Sequence, residues 1–344
     1  MKKYIIAIAL LTGMMAGACN LRSNENYVLN PDGGGKISLK TTFLYVKIRS
    51  GETLDDAAKR VVKSILTSST GVDTWKNVKY STGKDNSVNF EGTAYFTDFN
   101  TVVINNITLY FKFKREETKN GYRLVFRTEE KKSTEGDPEK VDEVVNKKLT
   151  DWGKQKGMFQ KPIEISRIER TYNIKAKSVK VSNMKLSGKK GKYSVNIVFD
   201  GPKIFEAMDI SSSNESAVRK NYLDGTNKYT NEVFMETLFG NTKPVTADVS
   251  GAEIAFNYAK EVAAAKKAYP AMYAKLNLEP ATEGETDTKE DEGDDDADDD
   301  KVDTDTKKKK GDKKGDKKSD KKKDKKKKDK KKESSIDRIK KNFQ

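Results

Sequence analysis

The chain has 344 residues, a formal net charge of +15, no histidine and one cysteine, Cys19. Without histidine there is no Ser-His-Asp or Cys-His catalysis, no His-ligated metal and no histidine pH switch. With one cysteine there is no internal disulfide, no CxxC pair and no cysteine nucleophile in the body, so the fold stands on its hydrophobic core.

Residues 1–18 read as a targeting segment. Lys2 and Lys3 form a positive n-region, and residues 4–15 form an apolar stretch too short to span a bilayer as a helix. Ala16, Gly17 and Ala18 lead into Cys19. This run resembles the lipobox of bacterial lipoproteins, in which the cysteine is diacylated on sulfur and becomes the mature N-terminus. The resemblance covers only these residues, and Ala16 stands where the lipobox most often has leucine. An ordinary secretory signal cleaved after Ala18 stays open. The resemblance implies lipid attachment at Cys19 and the membrane as a partner. It implies a place in the bacterial envelope, at the outer membrane or cell surface rather than the inner membrane. Two acyl chains anchor stably where one is marginal.

Residues 19–36 are expected to be the lipidated cysteine and a flexible tether, because Pro31-Asp32-Gly33-Gly34-Gly35-Lys36 is polar and glycine-rich. A phosphate-loop reading of Gly35-Lys36 fails twice. Asn30 stands where the first glycine belongs, and Ile37 where Ser or Thr must bind Mg²⁺.

The body, over 37–278, is expected to be α+β: antiparallel sheet with packed helices, as one domain or as two subdomains of about 37–130 and 139–278. Residues 39–49 alternate as a strand does, with Leu44, Val46 and Ile48 on one face and Phe43, Tyr45 and Lys47 on the other. Thr53 caps a helix, Asp56 completes a weak capping box, and Leu54, Ala57, Val61, Val62 and Ile65 form its buried stripe up to Gly71. Ser50-Gly51-Glu52-Thr53-Leu54 resembles the opening of a LysM peptidoglycan-binding module. The likeness ends there, since the helix runs on and no second helix follows.

Three strands come next. Val88, Phe90, Gly92, Ala94 and Phe96 share a face, as do Ile107, Leu109, Phe111 and Phe113. Asn120-Gly121 is a turn dipeptide leading to Tyr122, Leu124 and Phe126. Together these predict an antiparallel meander. A polar linker over 128–138 precedes a helix over 141–155, with Val141, Val144, Val145, Leu149 and Trp152 inward. A second β region covers 172–186 and 193–199, joined by Gly188-Lys189-Lys190-Gly191. This order is compatible with a degenerate duplication. After Pro202 short helices are expected over 215–222 and 231–239. In the last helix Ser250 and Glu253 read as a capping box, and Ala255, Tyr258, Val262, Ala265, Tyr269, Met272 and Leu276 form a heptad seam. The seam is expected to lie on the chain's own sheet rather than on a partner helix, and Pro270 to kink or end the helix.

Residues 279–333 form a charged tail expected to be disordered. From Glu283 to Asp305 there are 14 acidic residues against two lysines, and from Lys307 to Lys332 there are 18 lysines against five aspartates. Neither block has the apolar surface to fold, and they nearly cancel, so the body and ends carry most of the net charge. The lysine block is expected to contact an anionic polymer: lipopolysaccharide, an acidic polysaccharide or nonspecific nucleic acid. The candidate contacts are Lys307, Lys308, Lys309, Lys310, Lys321, Lys322, Lys323, Lys325, Lys326, Lys327 and Lys328. Lysine without interleaved arginine or aromatics argues against specific nucleic-acid recognition. Residues 334–344 place Ile336, Ile339 and Phe343 on one helical face, as a short amphipathic peptide would.

The main expectation for function is a non-enzymatic envelope module for binding or structure, without cofactor or metal and with a protein partner open. A carrier or chaperone for an apolar ligand or lipid is the alternative. A carboxylate-only glycosidase needs a paired Asp or Glu. Asp55/Asp56 and Asp142/Glu143 are better read as solvated helix charges.

Overall fold

The computed structural model describes residues 21–278 apart from 105–110, 127 and 129–131. The leader, Cys19, the charged tail and the terminal peptide lie outside the described residues, as do Ile107 and Leu109.

The largest departure from expectation comes first in the chain. Strand β1 (Leu21–Leu29) occupies the stretch expected to be a tether. Leu21, Ser23, Glu25, Tyr27 and Leu29 point inward in strict alternation. Two of these core positions are polar, so no apolar period marks the strand. The Ser23 and Thr41 hydroxyls meet at 2.8 Å, which satisfies one of them. The glycine run is the hairpin loop that follows. Asn30 N–H donates to Gly34 O at 2.8 Å, and Gly33 takes a φ of 91°. Strand β2 (Gly35–Phe43) returns antiparallel, with Leu29 opposite Gly35 and Leu21 opposite Phe43. A Cβ on Gly35 would lie 2.6 Å from Phe96 Cζ and 2.7 Å from Val28 O, so only glycine fits. β2 ends at Phe43, inside the strand expected over 39–49. Leu44, Val46 and Ile48 are irregular, and Tyr45, at φ 55°, is exposed.

Helix α1 (Leu54–Ser68) starts as expected: Thr53 Oγ1 accepts from Asp56 N–H at 3.2 Å, and Asp56 Oδ2 accepts from Thr53 N–H at 3.0 Å. Its buried face is Ala57, Ala58, Val62, Ile65 and Leu66. β3 (Thr74–Thr82) and β4 (Val88–Phe96) follow, then the hairpin of β5 (Lys114–Thr118) and β6 (Gly121–Phe126) across Asn120-Gly121. The predicted meander does not form. β4 pairs with β2 and β3, whereas β6 joins a different sheet. Phe111 takes a φ of 55°, and Phe113 precedes β5 outside any strand.

Helix α2 (Val141–Glu164) runs past residue 155 and carries Pro162 in its last turn. The stretch expected as one strand over 172–186 is divided among β7 (Arg167–Ile174), β8 (Ala176–Ser182) and β9 (Lys185–Lys189), followed by β10 (Lys192–Asp200). The division arises because the chain leaves one sheet at Lys175, enters the other with β8 and returns with β9. Helices α3 (Gly201–Ser213) and α4 (Glu215–Leu223) pack on α2, and α5 (Lys228–Phe239) packs on α3 and α4. Among the described residues they have no counterpart before residue 130, so the two halves differ.

The stretch expected to begin the last helix is β11 (Val245–Ala252), with Ser250 paired to Gly121 and Ser178. The helix itself is α6 (Tyr258–Lys275), capped by Asn257, whose side chain accepts from Lys260 N–H at 3.0 Å. Its seam lies on the chain's own sheet. Val262 and Ala265 are buried, and Met272 Sδ accepts from Val78 N–H at 3.3 Å where β3 bulges between Lys76 and Lys79. The helix continues through Pro270.

The first sheet has the order β3-β4-β2-β1-β7-β10-β9, and the second β5-β6-β11-β8. Every adjacent pair is antiparallel except β1 and β7, so the large sheet is mixed. The sheets share one core through aromatic contacts such as Phe113–Tyr172 at 5.4 Å and Phe126–Phe199 at 5.5 Å. Both sheets take strands from either side of residue 130, so a cut into 37–130 and 139–278 does not separate two packing units.

Candidate functional site

Cys19 and all eleven tail lysines singled out by sequence lie outside the described residues. Within the body, three features carry chemistry: a buried charge pair, a groove and a lysine-rich edge.

The charge pair sits where β1 and β7 run parallel, the one such joint among the described strands. Glu25 of β1 is in register with Arg170 of β7, and each is 1 % exposed. Arg170 Nε donates to Glu25 Oε2 at 2.8 Å, and the Tyr27 hydroxyl donates to the same oxygen at 2.8 Å. Arg170 also donates to the Phe111 carbonyl and lies 5.6 Å from the Phe199 ring centre. Tyr27 and Tyr172 stack beside it with centroids 4.8 Å apart. Glu25 Oε1 is buried without a hydrogen-bond partner. A cavity of about 10 Å³ lined by Tyr27, Arg170 and Tyr172 adjoins the pair. That is about the space of one water. Their role is to join β1 to β7.

Burial raises the Tyr27 phenol well above its ordinary value, with the Glu25 charge adding to the effect. Burial raises Tyr172 likewise, opposed by the Arg170 charge. A phenol whose folded-state value is raised contributes stability below the unfolded value, near 10, and loses it as pH climbs above that. The protein should therefore lose stability from about pH 10 upward. Tyr27 and Tyr172 should show phenolate absorbance only on unfolding. Complete phenol titration with the far-ultraviolet circular dichroism intact would contradict this burial.

The groove lies between the end of α1, the start of β3 and α6. Leu66, Val72, Trp75, Tyr269 and Pro270 line it, with Asp73 and Lys266 at the rim, and its volume is about 320 Å³.

The lysine-rich edge runs through β8, β9 and the turn into β10. Lys175, Lys177, Lys180, Lys185, Lys189, Lys190 and Lys192 are all exposed, and no acidic residue lies among residues 175–192. Lys175 meets Glu253 at 3.4 Å. The other six make no ion pair among the described residues. The sequence displays this run openly. Read as one strand and a turn, it lacks the sheet crossing that gathers the lysines at two neighbouring edges.

Three of the four carboxylates considered for hydrolysis are engaged locally. The Asp56 carboxylate accepts from Thr53 N–H at 3.0 Å, Asp55 pairs with Lys59, and Asp142 pairs with Arg219 at 2.7 Å. Among the described residues no cluster of three or more acidic, histidine or cysteine side chains is arranged to hold a metal. No described helix is long and apolar enough to cross a membrane. The class defined so far is an α+β body of a mixed and an antiparallel sheet with a basic edge. No family model, curated protein or solved structure matches this chain.

Proposed function

We propose that this is a lipid-anchored bacterial envelope protein, a non-enzymatic binding or structural module whose lysine-rich tail contacts anionic polymers or membrane. The observation that carries it is the position of the chain's one cysteine. It ends a lipobox-like leader, and the first core strand begins two residues later, at Leu21. Two residues reach at most about 7 Å. A diacylated Cys19 therefore seats the body against the bilayer, with the Leu21–Phe43 end of the large sheet nearest. The exposed Tyr45, with Lys47 and Arg49, leaves the sheet at that end.

Metabolic palmitate labelling tests the anchor. Wild-type protein should carry label and sediment with membranes, and Cys19→Ala should do neither. Label retained by Cys19→Ala would overturn the assignment. For the tail, deleting 307–332 should weaken binding to anionic beads and flatten its dependence on salt. Binding unchanged by the deletion would remove the tail from the proposal.

A carrier or chaperone for an apolar ligand or lipid is the second reading. It is favoured by the groove of about 320 Å³, at the lower end of the size range of ligand pockets. Stoichiometric uptake of a fluorescent fatty acid by the full chain would support it.

A further inference from the structure

We propose that the β8–β9–β10 edge of the body is itself a docking surface for a linear acidic polysaccharide, independent of the lysine tail. Four observations on the fold point there.

The edge is double. β8 is the last strand of the second sheet and β9 the last strand of the first. They are consecutive in the chain, so two free edges meet at one place. On β9, Lys185 and Lys189 are four residues apart and share a face, with a separation of roughly 13 Å. Lys177 and Lys180 stand on β8.

The charge is of one sign and opposes itself. Lys189 is directly opposite Lys192 across the β9–β10 ladder. Like charges directly opposite each other destabilise a pair of strands, and no acidic neighbour offsets them. An external row of anions relieves that repulsion.

The other edges differ. On β3, Lys79 is paired with Glu91 at 2.9 Å, and β5 mixes Lys114 and Arg115 with Glu116 and Glu117. Lysine at a free edge also deters strand addition. That purpose accounts for neither Lys190, which lies in the turn where no strand can add, nor the lack of an acidic partner for Lys177, Lys180, Lys185, Lys189 and Lys192 among the described residues.

The position and composition choose the polymer. Residues 175–192 contain no arginine and no aromatic, and the nearby Tyr193 hydroxyl is committed to Lys177 O at 3.3 Å. Base stacking therefore has no platform. The β9–β10 turn is also remote from the anchored end. β7 runs parallel to β1, Arg22 is in register with Arg167, and the turn lies by Ile174 at the other end. Seven residues of strand separate those ends, roughly 23 Å. The edge faces away from the protein's own bilayer and toward polymers beyond it. Flexible lysines on an extended edge follow a chain of regularly spaced sulfate, phosphate or carboxylate groups without a fixed pocket.

The proposal gives the binding-module reading its partner and rests on it. The two fail separately, since palmitate labelling reports the anchor and the following experiment does not. The full chain is acetylated briefly at its lysines with and without heparin, a sulfated polysaccharide, and each site is read by mass spectrometry. Lys185, Lys189, Lys190 and Lys192 should be protected, and Lys59 and Lys63 of α1 should not. In the full chain, Lys→Gln at those four positions should lower the slope of log affinity against log salt by roughly four. Protection confined to the tail lysines, or unchanged affinity in the quadruple variant, would overturn the proposal. So would equal protection of the edge by duplex DNA at matched charge, or protection by anionic vesicles and not by heparin.

Discussion

Replacing Glu25 with alanine should destabilise the protein by about 3–5 kcal/mol, the range for breaking a buried ion pair on one side. Arg170 is then left as a guanidinium 1 % exposed with its carboxylate removed. The Tyr27 hydroxyl loses its acceptor in the same step. Total stabilities of single domains are about 5–15 kcal/mol, so this loss approaches the threshold of folding. The reverse change, Arg170→Met, should cost a similar amount, because Glu25 Oε1 is already without a partner and Oε2 would keep only Tyr27. The double variant Glu25→Leu with Arg170→Met should recover most of the loss, since replacing both charges by apolar groups of similar volume is often neutral or stabilising. Urea unfolding checks this through a lowered midpoint at constant slope. A cost under about 1 kcal/mol for Glu25→Ala would mean water reaches the pair.

Deleting residues 20–30 should abolish the cooperative fold altogether. A tether can be removed without consequence, but β1 is the centre of the large sheet, with β2 on one side and β7 on the other. Its loss exposes two unpaired strand edges and removes Leu21, Tyr27 and Leu29 from the core. Large apolar side chains contribute about 1.5–3 kcal/mol each on burial, before the ladder bonds are counted. Arg170 would again be stranded. We expect insoluble product, or a chain with no sigmoidal urea transition. A deletion variant that unfolds with the wild-type midpoint would restore the tether and refute the strand.

Both effects converge on the segment that sequence patterning misread. Period-two alternation reveals a strand when the inward positions are apolar. In β10 they are Tyr193, Val195, Ile197 and Phe199, and the strand is plain. In β1 they include Ser23 and Glu25, whose partners Thr41 and Arg170 are 18 and 145 residues away. Nothing local announces that a carboxylate will be neutralised at such a distance. The glycine run after it has the composition of a linker, and only the approach of Phe96 and Val28 makes Gly35 obligatory. The last helix erred differently. Ser250 and Glu253 have capping-box spacing, but β6 and β8 claim Ser250 from both sides, and the cap moves to Asn257.

Local chemistry was legible where it was self-contained. The Thr53–Asp56 box, the Asn120-Gly121 turn and the burial of Val262 and Ala265 on α6 need only neighbours within a turn or one apolar face, and each appears in the fold. The lysines of 175–192 were equally visible as residues, but not as a surface. Their gathering depends on the chain crossing between sheets at Lys175 and back before Lys185, which no short-range rule encodes.

The sequence by itself determined composition and local pattern. It sets the absence of histidine, the lone Cys19, the opposed charge blocks and the alternation of α and β segments, because each is a property of residues close together in the chain. Tertiary structure alone decided that the chain beyond Cys19 enters the core at once, and that two sheet edges join in one basic face. Both depend on pairings between distant strands, β1 with β7 and β11 with β6 and β8, where burial and hydrogen bonding outweigh local propensity.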